Sequence, residues 1–100
     1  MQKIDEGFYQ RVDAHINLSN SQISKKIGKG KVSSSTMYAA ARFSSWVSAC
    51  GWDSGKEMAE AKLETISYFT NEFSKMLEEN LDDYIENFDS YTRILSGNEN

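Results

Sequence analysis

Carboxylates are the residues best placed to do chemistry. Glu57-x-x-Glu60 and Glu79-x-x-Asp82 form two acidic pairs with 18 residues between them. Hard oxygen ligands of this kind hold Mg²⁺, and the ion can bind a triphosphate and activate water. Acidic helices produce such spacings often. On one continuous helix Glu57 and Glu79 would stand about 33 Å apart. Only a hairpin could join the pairs, and Ile66 to Lys75 contains no turn residues. A second acidic group, Glu78, Asp82 and Glu86, recurs at one-turn spacing and reads as a solvated face. A di-iron bundle needs E-x-x-H pairs, and His15, the lone histidine, has no Glu three residues before it.

Nucleophilic chemistry has thin support. Cys50 is the only cysteine and sits at the expected end of a helix. Reactive thiols favour helix N-termini, where the dipole stabilises the thiolate. Cys50 is therefore expected to be a buried structural thiol, and His15 a partly buried packing residue. With one cysteine there is no intrachain disulfide framework. Gly28-Lys29-Gly30-Lys31-Val32-Ser33 has the glycines and lysines of an anion site. It is not a Walker loop, because Val32 follows the lysine and no strand precedes it. Lys29, Lys31 and Arg42 are the candidate residues for weak anion or nucleic-acid contact. Arg42 is the sole charge from Val32 to Trp52, so it should pair with a carboxylate or hold an anion. No cofactor and no metal site is called for.

These residues must be positioned by helices. The chain has 100 residues, no Pro and six Gly, with abundant helix formers. Net charge is −4, which argues against a general nucleic-acid binder. The charge is uneven. Residues 1–52 carry three acids against seven basic residues, or +4, and residues 53–100 carry twelve against four, or −8. No apolar run reaches membrane-spanning length, and the N-terminus is too polar for a signal peptide. A cytoplasmic location is expected.

Phe8, Val12, Ile16, Ile23 and Ile27 predict a first helix over 5–27, capped by Asp5. Gly28 to Lys31 should stop it, with the lysines at its negative pole. A second helix is predicted over 33–50, capped by Ser33, with Val32 stapled onto Met37. Met37, Ala40, Ala41 and Val47 lie on one side of it, and Ala39, Phe43, Trp46 and Cys50 on another. A helix apolar on more than one side is expected to be central and buried. Gly51 should end it. Ser54-x-x-Glu57 is a capping box that opens a third, long helix over 54–92. Met58, Ala61, Ile66, Phe69, Phe73, Met76, Leu77, Leu81, Tyr84, Ile85 and Phe88 hold its period, with Tyr91 and Leu95 extending it. Residues 96–100 are expected to fray.

The fold class is all-α: a three-helix up-down-up bundle in a single domain, with an ordered core over about 5–92. The long C-terminal helix is the problem. At about 1.5 Å per residue it would reach about 58 Å, against about 27 to 35 Å for the first two helices. Leu77, Leu81, Tyr84, Ile85 and Phe88 then lack a surface within the chain. Either the helix breaks near Asn80 and a fourth helix folds back, or the stripe is buried against a second copy. The absence of Gly and Pro between Gly55 and Gly97 favours the homodimer.

Two resemblances bear on function. The order and gap of the acidic pairs resemble the magnesium motif of all-α nucleotide pyrophosphohydrolases of the MazG type, which would make Glu57, Glu60, Glu79 and Asp82 the metal ligands. Separately, Gly30-Lys31-Val32-Ser33 leading to Met37-Tyr38-Ala39-Ala40-Ala41-Arg42-Phe43, and the run from Lys75 to Phe88 (Lys-Met-Leu-Glu-Glu-Asn-Leu-Asp-Asp-Tyr-Ile-Glu-Asn-Phe), resemble a small bacterial family. Phe8-Tyr9 and Ala14-His15-Ile16 extend the likeness to roughly residues 5–92. That family is known only as domain of unknown function 3144. The resemblance implies a stand-alone bacterial cytoplasmic protein and no particular activity, cofactor or partner. The leading expectation is a non-enzymatic interaction or adaptor protein that self-associates through its C-terminal helix.

Overall fold

The computed structural model of the chain describes residues 4–91. Every regular element among them is helical: α1 (Phe8–Ser21), α2 (Lys29–Cys50), α3 (Gly55–Glu60) and α4 (Lys62–Glu86). A further helical stretch runs through residues 88–91. The chain divides into two compact units, Met1–Ala59 and Glu60–Asn100. The expected fraying of 96–100 and the stripe position Leu95 lie outside the described residues.

In the first unit, Asp5 organises the start of α1. Its Oδ1 accepts from the Gly7 N–H at 2.9 Å, and both carboxylate oxygens accept from Arg11, at 3.1 and 2.8 Å. Gly7, not Asp5, is the N-cap residue. The helix ends six residues earlier than expected, at Ser21. The Ser21 hydroxyl donates to the Leu18 carbonyl at 2.6 Å, which is how Ser competes with helix propagation. Ile23 and Ile27 share the spacing of the α1 stripe but lie in the connection. There the Ser24 hydroxyl accepts from the backbone N–H groups of Lys26 and Ile27 at 3.3 and 3.1 Å.

α2 begins earlier than expected. Gly28 is its N-cap with extended backbone, φ −79° and ψ 168°. Gly30, Lys31 and Ser33 are therefore inside the helix, and Ser33 does not cap it. Val32 is not a staple residue before the helix but its fourth residue, and at 4 % exposure it is the one buried hydrophobic side chain of the described residues. Hydroxyls along α2 are satisfied locally: Ser35 and Thr36 donate to the Val32 carbonyl at 3.0 and 2.8 Å, and Ser45 to the Ala41 carbonyl at 2.8 Å. The Thr36 and Ser19 hydroxyls meet at 3.1 Å, tying α1 to α2 beside their connection. Gly51 closes α2 as expected, although its φ of −90° is right-handed.

The expected burial of α2 is corrected. Met37, Phe43, Trp46 and Val47 are all exposed.

In the second unit, α4 is one amphipathic helix of 25 residues. The break expected as an alternative near Asn80 does not occur. Asn80 is interior to the helix, and its amide donates to the Met76 carbonyl at 2.8 Å. The long helix expected over 54–92 is instead interrupted at Ala61, where φ is −92° and ψ 1°, and at Asn87, where φ is −111° and ψ 27°.

Candidate functional site

The acidic pairs come apart on the structure. Glu57 is committed to the start of α3. The Ser54 hydroxyl accepts from the Glu57 N–H at 3.1 Å, and Glu57 Oε1 accepts from the Asp53 N–H at 3.1 Å. This is the expected capping box, with the return bond moved one residue back. Glu79 and Asp82 lie far along α4. From Lys62 to Glu79 the helix is continuous and spans about 26 Å, so the hairpin that a shared Mg²⁺ site requires is absent. No group of three His, Cys, Asp or Glu side chains placed to hold a metal occurs among the described residues.

The other candidate groups are also dispersed. Cys50 is exposed, a correction to the expected buried thiol, because α2 ends in solvent on that side. His15 is likewise exposed, as is most of α1, since Ile16, its neighbour in the stripe, is itself 52 % exposed. Lys29 and Lys31 occupy the first turn of α2. They therefore sit at the positive pole of α2, not the negative pole of α1, because the connection ends at Gly28. Arg42 is exposed and makes no ion pair among the described residues, so the expected carboxylate partner is not found. At 11 residues from Lys31, about 17 Å along the axis, it does not share one site with the lysines.

The hydrophobic residues, in contrast, converge. Leu77, Leu81, Tyr84, Ile85 and Phe88 are 46, 51, 54, 70 and 60 % exposed. All but Phe88 belong to α4, and Phe88 opens the helical stretch after it. At 100° per residue the four on α4 share one face. Leu63, at 79 % exposure, and Ile66 and Phe73, at 51 and 50 %, continue that face towards the N-terminus of α4. Leu63 and Thr70 belong to it and are missing from the stripe read from the sequence. The signal was present in the 63, 66, 70, 73, 77 spacing, but Thr70 is polar enough to interrupt it.

The end of this face is shaped by Asp83. Its Oδ1 accepts from the Asn87 amide at 2.9 Å and its Oδ2 from the Tyr91 hydroxyl at 2.8 Å. The Tyr84 and Tyr91 rings pack with centroids 4.4 Å apart. The hydrogen bond to Asp83, and then its charge, raise the Tyr91 phenol above its ordinary pKa. On the opposite side Glu72 is nearly buried, its side chain 12 % exposed, with Lys75 Nζ at 3.6 Å.

What the fold and the surface define is a small all-α protein whose most prominent feature among the described residues is an exposed apolar helix face. The chain belongs to the family described as protein of unknown function (DUF3144), whose profile matches residues 8–85. It is similar to the NMR structure of the protein NB7890A from Shewanella sp, with 34% sequence identity and a TM-score of 0.72 over 93% of this chain and 98% of that one. Comparison with curated proteins returns no match. No helix among the described residues is long and apolar enough to cross a membrane.

Proposed function

We propose that this is a non-enzymatic interaction protein that self-associates through its C-terminal helix, as a homodimer in the bacterial cytoplasm, and presents the assembled surface to a further protein partner. One observation carries the reading: Leu77, Leu81, Tyr84 and Ile85 lie about half exposed or more on one face of an uninterrupted α4, and Phe88 is exposed just after it. Large apolar patches of this kind mark interaction sites. The reading takes the protomer as an up-down-up arrangement of α1, α2 and the C-terminal helix. Lys29, Lys31 and Arg42 are secondary candidates for weak anion contact, at two separate places. Sedimentation equilibrium at micromolar concentration tests the reading directly. A dimer that Leu81→Asp dissociates supports it, and a wild-type monomer overturns it.

A further inference from the structure

The α4 face has a symmetry that bears on how two copies meet. Within α4 its central positions run 70, 73, 77, 81 and 84, with Leu63, Ile66 and Ile85 flanking them. The intervals are 3, 4, 4 and 3, so the central pattern reads the same in either direction about Leu77. We propose that two copies of the chain pair antiparallel along α4, with the two-fold axis at Leu77. The inference rests on the self-association reading and adds its orientation and register.

The antiparallel arrangement sets Leu77 against Leu77 of the partner subunit, Phe73 against Leu81, and Thr70 against Tyr84. Each layer away from the axis then joins a larger side chain to a smaller one, and the helices keep one separation along their length. A parallel pair would stack Tyr84 on Tyr84 at one end and Thr70 on Thr70 at the other, wedging the helices apart where the rings meet. Facing positions pack best when large and small residues alternate across them.

Charge favours the same orientation. Glu78, Glu79, Asp82, Asp83, Glu86 and Asp89 give the C-terminal half of the segment a charge of −6, while Lys62, Glu64, Glu72 and Lys75 leave the other half neutral. Parallel pairing would align the two acidic halves within a distance that salt does not fully screen, the Debye length being about 8 to 10 Å. Antiparallel pairing lays each acidic half along a neutral one. With Leu63, Ile66, Phe73, Leu77, Leu81, Tyr84 and Ile85 exposed as they are, the face offers on the order of 800 Å² per chain, about what each partner contributes to a standard interface.

Disulfide trapping of the full-length chain tests this. In a Cys50→Ser background, Thr70→Cys and Tyr84→Cys chains are prepared separately, mixed and oxidised. The antiparallel register predicts that the mixture crosslinks and that neither variant crosslinks to itself, because like positions then stand about 21 Å apart along the axis. Sedimentation of each variant reports whether dimers persist. Persisting dimers in which each variant crosslinks to itself overturn the orientation and leave self-association standing. Persisting dimers with no crosslink overturn the register. Absence of dimers in the Cys50→Ser parent overturns both readings.

Discussion

The Tyr91 hydroxyl donates to the Asp83 carboxylate at 2.8 Å, across eight residues of chain. On an uninterrupted helix their Cα atoms would be about 12 Å apart along the axis. The irregular backbone at Asn87, φ −111° and ψ 27°, accompanies this contact, and the Asn87 amide joins it through Asp83 Oδ1. The kink thus places Tyr91 over Tyr84, at the edge of the exposed face.

That contact fixes a pH dependence. Tyr91 is raised above its ordinary value of 10.0, first by the Asp83 hydrogen bond. A raised pKa means the neutral phenol favours the folded state. Its contribution is complete below about pH 10 and is lost as pH rises through the raised folded value. Asp83→Asn should bring the Tyr91 transition back towards 10, read as tyrosinate absorbance against a Tyr91→Phe control. An unchanged transition contradicts the contact.

Asp5 predicts the opposite sense. Arg11 holds its carboxyl below the ordinary 3.8, chiefly through the side-chain hydrogen bond. Its contribution is present above that value and lost as pH falls through the lowered one. Arg11→Ala should return the Asp5 carboxyl towards 3.8 in an NMR titration. Because the pair is exposed, the accompanying change in stability should be small.

Asn80 separates a helix interior from a helix start. As an N-cap, Asn80→Ala would cost about 1 kcal/mol. Inside α4, the better helix propensity of Ala should instead stabilise by about 0.5 kcal/mol. Denaturation midpoints give the sign.

Ser54 is a cap, and the prediction runs the other way. Ser54→Ala removes the acceptor of the Glu57 N–H and should cost about 1 kcal/mol. Urea denaturation followed by helical circular dichroism measures it, and a neutral change would remove the capping box from the account.

Where the sequence was legible, a residue type had one strong local use. Ser54 can do little else at the head of a helix, and Gly51 stops α2 where expected. The unbroken run between Gly55 and Gly97 correctly favoured continuity through Asn80. Legibility failed where two local uses compete. Ser21 lies inside the helix predicted over 5–27, but its hydroxyl bonds back to Leu18 and α1 ends there. Ile23 and Ile27 then kept the helical period by coincidence. Gly28 and Gly30 looked like one stop signal, yet Gly28 caps α2 and Gly30 lies within it. The burial of α2 was misjudged because an apolar composition describes what a helix can bury, not what covers it. The site suffered from the same ambiguity. Acidic spacing on α4 suggested metal ligands, while its opposite face carried the continuous feature.

That face is the central claim, and sedimentation equilibrium of the wild-type chain beside Leu81→Asp tests it most directly. Burying a charge at Leu81 should weaken association by at least about 3 kcal/mol, more than a hundredfold in the dissociation constant. The account predicts a wild-type dimer at micromolar concentration and a monomeric, still helical Leu81→Asp. A wild-type monomer, or a variant that sediments as a dimer, would contradict it.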